Sequence, residues 1–204
     1  MKLAQSGTSV LVVASGLLAG GIGGPLGLPN QAAANEYAPQ LERLLDERVR
    51  PFLQHPLVID SIREQNAAHA SLGQAEIDHL DQQWRAEAQA GGGPLIDEWM
   101  ARELSQYLIE RQTEADGMIA ELFVMDNKGL NVAQSEPTSD YWQGDEAKWQ
   151  KTFLVGPDAV FVDEIDFDDS SGMFLSQVNA AIADPDTGEV IGAVTVGVNV
   201  EMLD

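Results

Sequence analysis

Cysteine is absent from this sequence of 204 residues, and basic residues are scarce. Without cysteine the chain forms no disulfide, thiolate metal site, iron–sulfur cluster or cysteine nucleophile. Lysine and arginine together number 11 against 33 aspartates and glutamates, for a formal net charge of −22. A charge of this sign repels nucleic-acid phosphates and anionic membrane surfaces, so we expect neither as a partner.

Catalytic motifs are missing as well. The sequence contains no Gly-x-Ser-x-Gly elbow, no phosphate-binding loop and no dinucleotide-binding glycine pattern. His55, His69 and His79 lack the spacing of paired metal ligands on one helix face, and we interpret them as exposed or helix-capping. The sequence therefore predicts a protein that is not an enzyme and that uses no cofactor.

The first 34 residues differ in kind from the rest. Lys2 is their single charge, a hydrophobic run extends from Val10 to Ala19, and small residues end the segment at Ala32–Ala34. This pattern predicts a secretory signal peptide over residues 1–34, followed by a periplasmic or secreted chain over residues 35–204. The alternative is an uncleaved membrane anchor, since Val10 to Leu28 is uncharged and about long enough to span a bilayer.

The exported part divides into a helical part, residues 35–117, and a sheet part, residues 118–204. Apolar residues at three- and four-residue spacing predict helices in the first part. These are a helix over Leu41–Phe52 that Pro51 ends or kinks, a short one near Leu57–Gln65, one opening at Gly73–Gln74, and one from Pro94 through Leu108.

Strand patterns and turn residues dominate the second part. The expected strands are Ile119–Met125, Leu130–Gln134, Val160–Phe167, Met173–Ala183 and Val190–Met202, with a helix over Ser139–Phe153. In the last strand valines alternate with small residues such as Ala193 and Gly197, which leave room for a helix or a ligand on one face. The order predicts an α+β fold in which long N-terminal helices pack on a five-stranded antiparallel sheet.

Charge is concentrated towards the C-terminus. Residues 114–204 hold 19 acidic residues against three lysines, a net charge of −16. Asp163, Glu164, Asp166, Asp168 and Asp169 form the densest cluster. Calcium takes several oxygen ligands at once, but no calcium-loop spacing is seen, and strand alternation predicts opposite faces for the first two carboxylates. We interpret the cluster as a solvated rim and predict no metal site.

Two tryptophans and a tyrosine fall within nine residues, at Tyr141, Trp142 and Trp149. They are either the buried face of a helix or the aromatic wall of a small-molecule pocket. The sequence leaves both interpretations open.

The sheet part resembles the Cache family of PAS-like, extracytoplasmic small-molecule sensor domains. The resemblance covers about residues 95–203 and is carried by Leu122–Gly129, Val132–Ser135, Thr138–Glu146, Phe167–Gly172 and Gly188–Val194. It implies a PAS-like sheet with a small ligand held between the sheet and the segment Tyr141–Trp149. The ligand-binding residues that it implies are Tyr141, Trp142, Asp145, Trp149, Asp163, Ile165, Gln177, Asn179 and Thr195.

Members of this family bind amino acids, carboxylates, amines and other metabolites, so the resemblance does not identify the ligand. The acidic sheet part favours an amine; Lys148 or Lys151 would instead suit a carboxylate. Family members continue from the last strand into an output module, whereas this sequence stops at Asp204. We therefore expect a single sensor domain over residues 35–204 that acts through a partner such as a membrane receptor or kinase.

Two other functions stay open. One is a ligand-independent periplasmic regulator that binds a membrane receptor through its helical part. The other is a metal-assisted hydrolase that uses the Asp163–Asp169 cluster.

Overall fold

The computed structural model describes residues 35–168 and 172–203. The predicted signal peptide, residues 1–34, lies outside the described residues. Within them, no helix combines the length and the apolar character needed to cross a membrane.

Helices fill the first part of the chain. They are α1 (Ala38–Leu44), a π-helical turn (Leu45–Val49), α2 (Arg50–Leu53), α3 (Pro56–Ala68), α4 (Gln74–Gln89), α5 (Pro94–Met100) and α6 (Glu103–Glu114). The π-helical turn stands directly before Pro51, which has no N–H for a regular helical bond. Pro51 thus perturbs the first helix, as expected, without ending it.

Five antiparallel strands form one sheet in the order β2-β1-β5-β4-β3. They are β1 (Ile119–Met125), β2 (Asn131–Gln134), β3 (Val160–Asp168), β4 (Met173–Ala183) and β5 (Val190–Asn199). A short helix, α7 (Ala147–Gln150), lies between β2 and β3. The predicted α+β class and five-stranded antiparallel sheet are confirmed.

The main core lies between the N-terminal helices and one face of the sheet, which we call the helix face. Buried valines of β4 and β5 on this face, such as Val178 and Val196, share this core with Leu41, Ile62 and other side chains of α1, α3 and α6. The opposite side of the sheet, which we call the far face, carries Phe123 in a separate small cluster. The alternation predicted for β5 is therefore confirmed.

A second core joins α4 and α5 to the segment after β2. Tyr141 is fully buried there, stacked on Trp84 at 5.5 Å between ring centroids and edge-on to Trp99 at 5.2 Å. The indole of Trp84 donates to the carbonyl of Thr138 at 2.8 Å. This cluster holds residues 138–142 against the helices.

Two predicted helices differ from the structure. The helix expected from Pro94 through Leu108 is broken at Arg102, whose backbone is extended with φ −60° and ψ 144°. The helix expected over Ser139–Phe153 is reduced to α7. The cause lies far away in the chain. The Asp81 carboxylate accepts from the main-chain N–H groups of Tyr141 and Trp142 at 2.9 and 3.0 Å. Because these N–H groups do not form helical hydrogen bonds, the segment that contains them is a loop.

The turn between β1 and β2 is built around a fully buried carboxylate, that of Asp126. One oxygen accepts from the main-chain N–H groups of Lys128 and Leu130, at 2.8 and 2.9 Å. The other lies 3.0 Å from Nε2 of Gln65 on α3 and 2.9 Å from Nδ1 of His69, the residue that follows this helix. The carboxylate thus fastens the turn to the helical layer.

A second ionic contact fastens α3 to the turn after β4. The Arg63 guanidinium bonds both oxygens of Asp184, at 2.7 and 2.6 Å, and also reaches Asp186 at 2.7 Å. Hydrogen bonds from Arg63, together with the main-chain N–H of Asp186, lower the pKa of Asp184 to about 2. The paired, ionised carboxylate is therefore favoured in the folded state.

Replacing Asp126 with alanine should strongly destabilise the domain. Removal of a buried carboxylate leaves several buried donors without an acceptor, and we expect a loss of about 3 kcal/mol in the free energy of unfolding. Urea denaturation followed by circular dichroism measures it. Asp145→Ala, at an exposed position, is the matched control and should change little; equal losses in the two variants would contradict this role of Asp126.

Asp184→Asn should lower the melting temperature at neutral pH and make the protein less sensitive to acid. Because the folded-state pKa of Asp184 lies below its ordinary value of 3.8, its stabilisation is present above that value and is lost as pH falls towards about 2. Melting curves from pH 7 to pH 2 should therefore converge for the two proteins. A difference that stays constant down to pH 2 would show that the ionised pair is not its source.

Candidate functional site

A row of side chains crosses the far face of the sheet at mid-height. The register pairs Phe123 with Thr195, Thr195 with Asn179, and Asn179 with Phe161. Directly opposed residues of antiparallel strands point to the same face. Phe123, Thr195, Asn179 and Phe161 therefore lie side by side on the far face of the sheet, on which the predicted ligand pocket would lie.

Trp149 and Phe153 cover one half of this face, which we call the closed half. Their rings stack at 4.9 Å and pack on Phe123, Met125 and Ala193. The indole N–H of Trp149 donates to the main-chain oxygen of Asp126 at 3.1 Å, which ties the cover to the β1–β2 turn. Small side chains on β5 thus make room for an internal aromatic pair.

The polar groups beneath this cover bond one another. The Thr195 hydroxyl donates to Oδ1 of Asn179 at 2.7 Å, and Nδ2 of Asn179 donates to the Phe161 carbonyl at 3.0 Å. Both side chains are fully buried. Asn179, Thr195 and Trp149, all predicted to bind a ligand, therefore already satisfy one another or the main chain in the closed half.

Two lysines complete the cover of the closed half. The ammonium of Lys151 lies 3.9 Å from the centroid of the Phe161 ring, and that of Lys148 lies 5.4 Å from that of Phe123. Lys148 also pairs with Glu146 at 3.0 Å. Burial raises the pKa of Glu146 and Lys148 lowers it, with burial the larger effect. The lysines that could have held a carboxylate ligand are thus engaged with internal partners.

The other half of the far face is an open groove of about 590 Å³, which we call the acidic groove. Five carboxylates line it together with apolar side chains, and no basic side chain is among the lining residues that the structure describes. The lining residues are Ala120, Glu121, Glu136, Asp163, Glu164, Asp166, Phe167, Met173, Leu175 and Gln177.

A β-bulge in β3 assembles the acidic side of this groove. The register between β3 and β4 shifts between Val162 and Ile165, so Asp163 and Glu164 both line the groove. The expectation that these two carboxylates lie on opposite faces is wrong, because an inserted residue breaks strict alternation. The same shift pairs Ile165 with Ser176. That pairing places Ile165 on the helix face, away from the predicted pocket.

Glu121 reaches the groove because its strand neighbour is a glycine. A Cβ on Gly197 would come within 2.4 Å of the Glu121 side chain, so the carboxylate chain occupies the space that glycine leaves. Oε1 of Glu121 accepts from Nε2 of Gln177 at 2.7 Å. The bond orients one carboxylate of the groove and one of its predicted ligand-binding side chains.

The structure does not bring the nine predicted binding residues together. Asp163 and Gln177 line the acidic groove, whereas Asp145 is exposed elsewhere. Tyr141 lies in the second core, and the Trp142 indole donates to the Lys128 carbonyl at 2.8 Å. Ligand binding by any of the nine stays a prediction.

Sequence reasoning missed Glu121 and Glu136 as parts of the groove. Glu121 had a detectable signal, because it is a charged residue inside the apolar run of β1 on the same side as Phe123. Glu136 had none, because it follows the end of β2 and its place depends on the fold; its carboxylate accepts from Gln112 at 3.0 Å.

No family model and no curated protein matches the sequence. Among solved structures, the chain is similar to the sensor domain of the histidine kinase DctB from V. cholerae, at 15% identity and a TM-score of 0.36 over 81% of this chain and 55% of that one. It is also similar to the ligand-binding domain of the Campylobacter jejuni chemoreceptor Tlp3 in complex with 4-methylisoleucine, at 12% identity and a TM-score of 0.37 over 75% and 64%.

The sensory domain of Tlp3 with isoleucine bound gives 12% identity and a TM-score of 0.35, covering 80% of this chain and 62% of that one. This chain thus spans about half to two thirds of the length of these solved chains. These solved chains are sensor and ligand-binding domains.

Trp149→Ala should open the closed half and destabilise the domain. The change removes the ring that stacks on Phe153 and packs on Phe123, and we expect a loss of about 3 kcal/mol in the free energy of unfolding. Urea denaturation is the measurement. Leu154→Ala, at a side chain that is 62% exposed, is the control and should be nearly silent; an equally silent Trp149→Ala would mean that the aromatic cover is not part of the core.

Proposed function

We propose that this chain is an extracytoplasmic sensor module that binds a small molecule carrying a positively charged amine in the acidic groove. The observation that carries the proposal is the lining of that groove: five carboxylates, and no basic residue among the lining positions described.

Electrostatics favours a cation at this place. Carboxylates that share one concave surface repel one another, and a cation between them relieves that repulsion. Glu121 is oriented by its bond to Gln177, and the bulge sets Asp163 beside Glu164. An ammonium group can therefore meet several acceptors without large rearrangement of the sheet.

The remaining walls suit the hydrocarbon part of such a ligand. Phe167, Met173 and Leu175 line the same groove as the carboxylates, and Phe167 is 53% exposed. An aromatic face beside carboxylates attracts an ammonium through cation–π contact as well. This combination favours an organic amine over a small inorganic ion.

The signal-peptide pattern supports a place outside the inner membrane, in the periplasm or beyond the cell. In this proposal the module passes the binding event to a partner protein such as a receptor or kinase. The alternative, a ligand-independent regulator that docks through its helical part, has less support from the surface. The large exposed hydrophobic side chains of the described residues, Leu154, Val155, Phe167, Phe174 and Met202, all belong to the sheet part.

A titration of the purified chain tests the proposal. We expect choline, cadaverine and other organic amines to raise the melting temperature, and the double variant Asp163→Asn/Asp166→Asn to weaken their binding by about tenfold, the loss expected for one or two charge-assisted contacts. Isothermal titration calorimetry measures the affinity, and rising salt should weaken it further.

The matched control is Asp78→Asn/Asp158→Asn, which makes the same change in net charge at exposed positions outside the groove. If amine binding weakens equally in both double variants, the effect comes from the net charge of the protein and not from the groove. If calcium binds and no amine does, the groove is a metal site. If neither binds while one membrane protein is captured regardless of small molecules, the regulator alternative is correct.

A further inference from the structure

A second cavity of about 490 Å³ lies on the other side of the molecule, between α3 and the beginning of α6. Ser61 and Gln65 on α3 and His69 directly after it form one wall. The opposite wall is formed by Arg102, Leu104 and Val132. Since α3 packs on the helix face of the sheet, this cavity is separate from the acidic groove.

Arg102 is held rigidly in this cavity. Its guanidinium carbon lies 3.5 Å from the centroid of the Trp99 ring, so the ring fixes the plane of the group. Nη1 donates to Oε1 of Gln65 at 2.9 Å and to the Val132 carbonyl at 3.0 Å. Both bonds use one nitrogen, and among the described residues no hydrogen-bond partner is found for Nε or Nη2.

Among the described residues, Arg102 forms no direct ion pair with a carboxylate, although Glu98 and Glu64 act on its charge from a longer distance. Within residues 35–168 and 172–203, no carboxylate oxygen lies within 4.0 Å of its guanidinium, and burial lowers its pKa. Arg43 and Arg48 also lack such a partner, but both are exposed. The other arginines are all paired with carboxylates: Arg50, Arg63, Arg85 and Arg111.

A partly buried guanidinium without a counter-ion is costly, and a planar fork of N–H donors matches a carboxylate. A bound carboxylate would therefore offset the free-energy cost of keeping the Arg102 guanidinium partly buried without a counter-ion. A simple anion, however, also meets Asp60, Glu64 and Glu103, which line the same cavity. These carboxylates repel a ligand that is negative alone and attract one that also carries an ammonium group.

We propose that this cavity binds a small zwitterion, a molecule with one carboxylate and one ammonium group. Arg102 holds the carboxylate through its free edge, and the carboxylates of the rim attract the ammonium. Leu57, Leu104 and Val132 supply apolar surface for the carbon chain between the two charges. The site is independent of the amine-binding groove on the far face.

Calorimetry and thermal shift with β-alanine, γ-aminobutyrate and L-alanine test the proposal. At least one of these zwitterions should bind, and propionate, which carries only the negative charge, should bind at least tenfold more weakly. Propylamine is compared in the Asp163→Asn/Asp166→Asn variant, in which the acidic groove is weakened, and there it should also bind at least tenfold more weakly than the zwitterion. Arg102→Lys keeps the charge but loses the planar fork, so the affinity for the zwitterion should fall by about tenfold. Arg43→Lys, at an exposed arginine outside the cavity, is the matched control and should not change it.

A second variant keeps the test valid if Arg102→Lys is unstable. Ala68→Trp places a large side chain in the cavity from an exposed position of α3 and leaves Arg102 intact; it should also abolish zwitterion binding. The groove variant Asp163→Asn/Asp166→Asn should leave zwitterion binding unchanged, so failure of the amine site and failure of this site are distinguishable.

Three results would overturn the proposal. One is that no zwitterion binds the wild-type chain. Another is binding that survives both Arg102→Lys and Ala68→Trp. A third is propionate binding as tightly as the zwitterions, which would show that the rim carboxylates do not take part.

Discussion

The buried carboxylate of Asp126 is the contact on which the arrangement of the layers depends. A carboxylate without solvent must be fully hydrogen-bonded, and its donors come from two places. One is the turn that it begins, and the other is the pair of side chains Gln65, on α3, and His69, directly after α3. The main-chain oxygen of the same residue accepts from Trp149 on the far face. One residue thus connects the helical layer, the first hairpin and the aromatic cover.

On the far face of the sheet, the space above the small residues of β5 is occupied in two different ways. Small residues on β5 leave space above the sheet, and that space has to be filled by protein or by something else. Beside Ala193 it is filled by Trp149 and Phe153; beside Gly197 only the slender side chain of Glu121 enters. The acidic groove remains where the aromatic cover ends.

Strands were predictable from the sequence because their determinants are local. Alternation in β5 and the turn residues Asp126–Gly129 need no knowledge of distant residues. Predictions from the sequence were wrong where the local structure depends on a residue far away in the chain. Asp81 takes the N–H groups of Tyr141 and Trp142 from 60 residues away, which turned an expected helix into a loop.

The candidate site was less predictable than the fold, for the same reason. A single bulge moves Glu164 and Ile165 to the faces opposite to those that strict alternation predicts, and no local sequence pattern indicates it. Arg102 interrupts a helical pattern because its stacking on Trp99 and bonds to two other elements favour an extended backbone. Both features depend on contacts with other elements of the fold, at positions where the local sequence is compatible with more than one backbone conformation.

The β1–β2 turn is an unusual place for a rigid element, since hairpin turns are commonly among the first parts of a sheet to open. Here the amides of Lys128 and Leu130 bond to a carboxylate that α3 also holds. They can exchange with solvent only when the turn separates from the helix. Its amides should therefore exchange as slowly as those of the central strands, and the hairpin should open together with α3 as one cooperative unit.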